Sequence, residues 1–239
     1  MSIASGTVAA VLVAGGSGSR FGNNKPKQFL ILNAYEMYIW PLSVLYKDGG
    51  IKHIVVTMPA DFVVPGRRRI SQIFPGDKID VVTGGATRQN SVFLALDHLK
   101  AKDIYKYVLV HDAARPFLTA KVVSDTIHTV TTKGACTVGT PVSDTLKMVE
   151  DGLIIETVDR SNLYAVQTPQ AAPFETLLTC HEQAQKLGVS VTDDAAILEH
   201  FGHKVLILPG QNNNIKITVA EDLRAGELLA PLFLPPTPL

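Results

Sequence analysis

Short runs of β-branched and aliphatic residues alternate along this chain with longer stretches whose apolar positions recur every three or four residues. Residues 7–13 read as a buried strand, followed by a glycine-rich loop over residues 14–22. A helix is predicted near residues 36–46, a strand at 53–58, a helical stretch at 70–74 and a short strand at 79–82. Gly84, Gly85 and Ala86 open a further helix in which Val92, Ala95, Leu96 and Leu99 share one face. Residues 107–110 form a strand that ends in His111 and Asp112; residues 121–130 are helical by spacing and 135–140 strand-like. Helices then follow near 173–186 and 193–201, strands at 204–208 and near 215–218, and a last helix from Ala220.

Strands alternating with helices predict an α/β protein: a mostly parallel sheet with helices on both faces, in one domain over residues 1–239. Ligands of such sheets bind beyond the carboxyl ends of the strands, where the glycine loop, His111-Asp112 and Pro141-Val142 would converge. One segment departs from the alternation. Residues 144–149 and 153–158 flank Asp151-Gly152, which predicts a β-hairpin; an arm over 143–160 either joins two subunits or folds back on its own. The prolines at 231, 235, 236 and 238 make residues 231–239 a tail.

Composition narrows the function. The 22 basic and 22 acidic residues cancel, and 46% of the chain is hydrophobic, so a nucleic-acid-coating role and disorder are both disfavoured. No stretch is long and apolar enough to span a bilayer, and the uncharged start lacks the basic residues of a signal peptide. Cys136 and Cys180 are too few for a disulfide framework and lack CxxC spacing. The expected setting is cytoplasmic.

The glycine loop carries the first chemical signal. Gly15, Gly16, Gly18 and Gly22 allow backbone N–H groups to turn inward around an anion, with Arg20 inside the loop and Lys25 and Lys27 just after it. The dinucleotide fingerprint starting at Gly16 fails at Phe21, and the Walker A pattern fails at Asn23. From these residues alone the loop is either a polyphosphate cradle or a tight turn with solvated charges. Asp112 at a strand end is likewise either a ligand for Mg²⁺ or a turn-capping carboxylate.

Taken together, Ala14–Arg20 with Lys25-Pro26-Lys27-Gln28 resembles the nucleotide loop of cytidylyltransferases that act on sugar-alcohol phosphates. The resemblance runs on through Gly84–Val92, Val110–Pro116, Pro141–Lys147, Arg160 with Gln167-Thr168-Pro169-Gln170, Thr192–Ala195, and Asn214–Thr218 with Glu221-Asp222-Leu223. It is strongest to the 2-C-methyl-D-erythritol 4-phosphate cytidylyltransferase family of the non-mevalonate isoprenoid pathway. The sister family uses ribitol 5-phosphate in wall or capsule synthesis. Tyr164, Thr87 and the turn at Asn33–Glu36 depart from the first family's pattern, while Asp144–Lys147 and Val158–Arg160 follow it.

The resemblance implies a Rossmann-like nucleotidyltransferase fold, a homodimer joined through the arm, and CTP, a polyol phosphate and Mg²⁺ as the reacting set. It implies Arg20, Lys27, Arg160 and Lys216 as catalytic cations, and Ala14, Gly15, Gly16, Gly85, Arg88 and Ser91 as CTP contacts. Asp112 is the implied metal ligand, and Arg115, Thr145, Arg160, Thr168 and Thr192 the acceptor contacts. Read without it, Lys216 is more simply a solvated lysine beside a strand, and Ser91 is alternatively a helix hydroxyl bonded to its own backbone. An NAD-dependent oxidoreductase and a catalytically silent nucleotide-binding module are the rival classes; the failed fingerprint speaks against the first, the retained cations against the second.

Overall fold

The computed structural model describes residues 7–15, 26–102 and 104–233. The expectations at Gly16 and Arg20 lie outside these residues. In chain order the elements are β1 (Val8–Val13), β2 (Ile31–Leu32), β3 (Tyr35–Glu36), α1 (Ile39–Lys47), β4 (Ile51–Met58), α2 (Ala60–Ile73), β5 (Ile79–Thr83), α3 (Arg88–Lys100) and β6 (Tyr107–Asp112). There follow α4 (Ala120–Thr132), β7 (Cys136–Pro141), β8 (Leu146–Glu150), β9 (Leu153–Val158), β10 (Tyr164–Pro173), α5 (Phe174–Leu187), α6 (Asp194–His200), β11 (Leu206–Pro209) and α7 (Ala220–Leu229).

Seven strands form one sheet in the order β11-β7-β10-β6-β1-β4-β5. All neighbours pair in parallel except β10, which runs antiparallel between β6 and β7. The strand alternation sorts β1 onto two cores. Val8, Ala10 and Leu12 meet α1, α2 and α4 on one face, while Ala9 and Val11 meet α3, α5 and α6 on the other. This is why β1, buried along almost its whole length, reads as a continuous apolar run. Local chemistry sets the helix starts: the Thr87, Thr119 and Asp193 side chains accept N–H bonds from Asn90, Val122 and Ala196.

Several boundaries differ from the sequence reading. The helix expected near 36–46 begins at Ile39, because Tyr35 and Glu36 pair back onto Ile31 and Leu32 around Asn33, whose φ is 58°. The stretch at 70–74 is the end of α2, which begins at Ala60 and continues through Pro65 and Gly66; Gly66 lies against Met58, whose sulfur would overlap a Cβ there. The basic run Arg67–Arg69 is more than a solvated face: Arg67 donates to the Val81 carbonyl and Arg69 to Glu36. No strand forms at 215–218; the Ile217 N–H in this segment donates to the Ala114 carbonyl. The strand that replaces it in the sheet is β10, disguised in sequence by Pro169, which sits where the pairing register with β7 is interrupted. Nor is the whole of 231–233 a free tail, since Phe233 packs on Phe117 with ring centroids 4.8 Å apart.

The hairpin predicted around Asp151-Gly152 is present. β8 and β9 make their own two-stranded sheet, with Asp151 and Gly152 both at positive φ in the two-residue turn. Met148, Val149, Leu153, Ile154 and Ile155 are all exposed, so the hairpin does not fold back onto its own subunit. No helix among the described residues is long and apolar enough to cross a membrane.

Candidate active site

The carboxyl ends of β1, β4, β5 and β6 meet at one edge of the sheet. Val13 is in register with Asp112, the Ala14 N–H donates to the Thr57 carbonyl, and the Gly84 N–H donates to that of Met58. Two glycine-bearing turns touch here. A Cβ on Gly15 would lie 2.7 Å from the Ser91 hydroxyl, and one on Gly84 would lie 3.1 Å from the Gly15 Cα. Only glycine allows this approach. Gln28, buried just after the glycine loop, donates to the Ala14 carbonyl at 2.6 Å and so ties the Lys27 turn to the end of β1.

Asp112 is the centre of the site. Its Oδ1 lies 2.8 Å from Arg88 Nε and its Oδ2 2.7 Å from Lys216 Nζ, across 24 and 104 residues of sequence. Burial alone would raise this carboxyl; the Arg88 guanidinium and the Lys216 ammonium reverse that and hold it well below the usual carboxylate range. Arg88 also pairs with the buried Asp194 at 2.8 Å. Burial works against the guanidinium charge, and the two carboxylates more than restore it.

Behind Asp112 lies a buried relay. His111 Nε2 faces the Arg115 carbonyl at 3.0 Å, so that nitrogen carries the proton. Burial pushes the His111 pKa down to about 4, and the neutral ring then accepts at Nδ1 from the Thr168 hydroxyl, 3.1 Å away. The same Thr168 oxygen accepts the Asp112 backbone N–H at 3.1 Å.

A pocket of about 290 Å³ opens in front of these groups, lined by Arg88, Asp112, Arg115, Thr168, Thr192 and Lys216 among others. The fold thus brings together six of the residues expected for the site. Ala14, Gly15, Gly85 and Ser91 stand beside it, at the neighbouring strand ends. Lys27 begins a 3-10 turn, and its charge reaches Asp222, whose carboxylate accepts the Thr218 N–H at 2.7 Å, two residues beyond Lys216.

Other expected contacts stand differently. The Ser91 hydroxyl donates to the Thr87 carbonyl at 2.9 Å and accepts the Gly85 N–H at 3.0 Å, so it braces the second glycine turn from within. The hydroxyl proton of Thr168 is committed to His111. Arg115 donates to the carbonyl of Asn214 at 2.8 Å and weakly to that of Val166. Thr145 and Arg160 are exposed at the root of the arm and do not line the pocket; Arg160 bonds to the Ser143 carbonyl there.

Asp194 and Asn214 went unassigned in the sequence reading. Asn214 is buried and donates to the Thr168 carbonyl at 2.8 Å, joining β10 to the Lys216 segment. Both lie inside stretches that carry the family resemblance, but nothing local in the sequence marks a polar side chain as buried. Among the described residues no group of three or more His, Cys, Asp or Glu side chains could hold a metal ion.

Known proteins match this arrangement along nearly the whole chain. The family model for 2-C-methyl-D-erythritol 4-phosphate cytidylyltransferase matches residues 8–230. Curated relatives of that name include one from Bacillus thuringiensis (strain Al Hakam), 39% identical over 91% of this chain and 95% of its own. Another, from Clostridium novyi (strain NT), is 37% identical over 91% and 94%. Among solved structures, 4-diphosphocytidyl-2C-methyl-D-erythritol synthase from Anaerococcus prevotii DSM 20548 superposes with a TM-score of 0.82 at 26% identity, covering 94% of this chain and 96% of that one. The Francisella tularensis 2-C-methyl-D-erythritol 4-phosphate cytidylyltransferase gives 0.77 at 28% identity, over 93% and 99%. These names favour methylerythritol phosphate over ribitol phosphate as the acceptor. The chain belongs to the 2-C-methyl-D-erythritol 4-phosphate cytidylyltransferase family, the nucleotidyltransferases that join CTP to that polyol phosphate and release pyrophosphate.

Proposed function

We propose that this chain performs the family reaction in the pocket around Asp112, using its own cations to bring two anions together. The observation that carries this reading is the Asp112 carboxylate gripped by Arg88 and Lys216 at the sheet edge where the two glycine turns meet. The nucleophile is a phosphate monoester oxygen, whose second pKa of about 6 leaves it mostly dianionic at neutral pH. No general base is needed. The obstacle is charge repulsion in an in-line attack on the α-phosphorus, so positioning and neutralisation supply the catalysis.

Lys216 and Lys27, with Arg20 from the glycine loop, neutralise the triphosphate and the charge that builds at the α-phosphorus. Ala14, Gly15, Gly16 and Gly85 offer backbone close to the nucleotide, Ser91 holds the Gly85 turn in place, and Arg88 faces the phosphates. Arg115 and Thr192 form the acceptor side, and Thr168, its hydroxyl turned inward to His111, shapes that wall of the pocket. Thr145 and Arg160 complete it from the arm of a second copy, because in one protomer they stand away from the pocket. The exposed apolar residues of β8 and β9 supply the surface for that homodimer.

Asp112 fits a Mg²⁺ that arrives with the triphosphate. Each carboxylate oxygen keeps a lone pair beyond its one cation, the group stays ionised, and Mg²⁺ accepts a single protein carboxylate when phosphate oxygens and water fill its other positions. Held by Asp112, such an ion would supply positive charge that lowers the repulsion between the triphosphate and the incoming phosphate. Cys136 and Cys180, both free and buried, suit a cytoplasmic setting.

The test is pyrophosphate release with CTP and Mg²⁺, run on 2-C-methyl-D-erythritol 4-phosphate and on ribitol 5-phosphate, with UTP controls and mass detection of the product. Turnover with the methylerythritol substrate alone is expected. Turnover only with ribitol phosphate, or with neither, overturns the reading.

A further inference from the structure

The reaction as described leaves one buried carboxylate at the site unused. Asp194 lies at the start of α6, with its Oδ2 2.8 Å from Arg88 Nη2 and its Oδ1 3.2 Å from His181 Nε2. Its place is set by the main chain: the backbone N–H groups of Asp194 and Ala195 both donate to Gln170 Oε1, at 2.8 and 3.0 Å. Gln170 is itself buried in the antiparallel strand β10 and bonded to Thr137 and Asp193. Asp194 is therefore a rigid anion.

Arg88 sits between two carboxylates. Nε donates to Asp112 at 2.8 Å and Nη2 stands 2.8 Å from Asp194 Oδ2, a charge contact without hydrogen-bond alignment, whereas Nη1 bonds to no described residue and the side chain lines the pocket, 22% exposed. A guanidinium is planar, so a hydrogen bond at Nε and a buried anion beside Nη2 together restrict its plane and the direction of the third nitrogen. With Asp112 as the only anchor, the group could swing, and its whole charge would bear on the carboxylate that Lys216 also holds.

We propose that Asp194 is a positioning residue: it fixes the Arg88 fork so that Nη1 faces the nucleotide phosphates, and it draws off enough of the guanidinium charge to leave Asp112 free to act. This rests on the CTP-dependent reading above. Burial alone would raise the Asp194 carboxyl, but the Arg88 guanidinium holds it below the usual carboxylate range, so the anion the role requires is present at neutral pH.

The test is a cycle of Asp194→Asn, Arg88→Gln and the double variant, in the full chain, reading KM for CTP and for 2-C-methyl-D-erythritol 4-phosphate alongside the thermal midpoint. Asp194→Asn should raise KM for CTP about tenfold, the scale of losing a supporting partner, with KM for the polyol phosphate unchanged and Asp194→Glu restoring much of the loss. In the Arg88→Gln background the same change should add less than about twofold, because its route is gone. An unchanged KM for CTP, an equal rise for both substrates, or a full effect without Arg88 overturns the proposal. Should Asp194→Asn fail to fold, the double variant, which removes both buried charges, is still compared with Arg88→Gln. Wild-type protein that neither binds nor turns over CTP would instead overturn the functional reading.

Discussion

The Thr168 hydroxyl lies 3.1 Å from Nδ1 of His111 and joins strands β10 and β6 directly behind the Asp112 carboxylate. Because His111 Nε2 must donate to the Arg115 carbonyl, Nδ1 can only accept, and the Thr168 proton is directed inward. Its oxygen in turn receives the Asp112 N–H. Replacing Thr168 with the isosteric valine leaves a buried acceptor and a buried N–H without partners. We expect a loss of about 1–3 kcal/mol in chemical denaturation and a fall in turnover. A Thr168→Val protein as stable and active as wild type would remove the relay from the account.

Lys216 is the cation that the chain brings from farthest away. Lys216→Met keeps the stem of the side chain but removes the charge from Asp112 and from the reacting phosphates. Turnover should drop by about 10²–10³, as for loss of one transition-state donor, and Lys27→Ala should do the same. Steady-state kinetics with saturating CTP decide it; near wild-type turnover would exclude the residue concerned from catalysis.

The contact between the glycine turns gives a test with a built-in rescue. A Cβ on Gly15 would sit 2.7 Å from the Ser91 hydroxyl, while its next neighbours are at 3.4 Å. Gly15→Ala should therefore weaken CTP binding, and Gly15→Ala with Ser91→Ala should recover part of it, since the closest obstacle is gone. Calorimetric titration with CTP reads both. A double variant worse than Gly15→Ala would show that bracing by Ser91 outweighs the clash.

The arm presents Leu153, Ile154 and Ile155 to solvent at 71, 64 and 55% exposure, so a charge there disturbs little within one protomer. Ile154→Asp should leave the thermal midpoint of the subunit nearly unchanged and shift the protein to monomer in sedimentation. Activity should fall with it if Thr145 and Arg160 act across the interface. A monomer with full activity would confine the acceptor site to one chain.

At the opposite end of the sheet, Asp80 Oδ2 collects His53 and His98 at 2.9 Å and Lys102 at 3.2 Å. Burial works to raise its pKa, and the three donors together drive it below the ordinary carboxylate value. The unfolded chain therefore takes up a proton here before the folded one does. Stability from Asp80 is complete above the unfolded pKa of 3.8 and is lost as pH falls through and below it. Asp80→Asn should lower stability at neutral pH and flatten the acid limb of the curve, measured by urea unfolding from pH 6 to 3.

Much was legible from residue order alone because the signals are local. The apolar runs of β1 and β4, the shared face of Val92, Ala95, Leu96 and Leu99, and the Asp151-Gly152 turn report directly on backbone period and turn geometry. The cluster of Arg88, Asp112, Arg115 and Lys216 could be listed because each lies in a segment whose residue pattern matches the family. What remained hidden depends on contacts between distant parts of the chain. β10 carries two prolines and two glutamines, and only its seat between β6 and β7 makes it a strand. The hydroxyls of Ser91 and Thr168 have the same sequence whether they meet a ligand or the backbone, and packing turned both inward. Asp194 is an ordinary polar residue at a helix start until α6 docks on β10 and sets it against Arg88. Period and turn chemistry are written along the chain; which polar groups become buried, and which cations meet across 104 residues, is decided when the sheet closes.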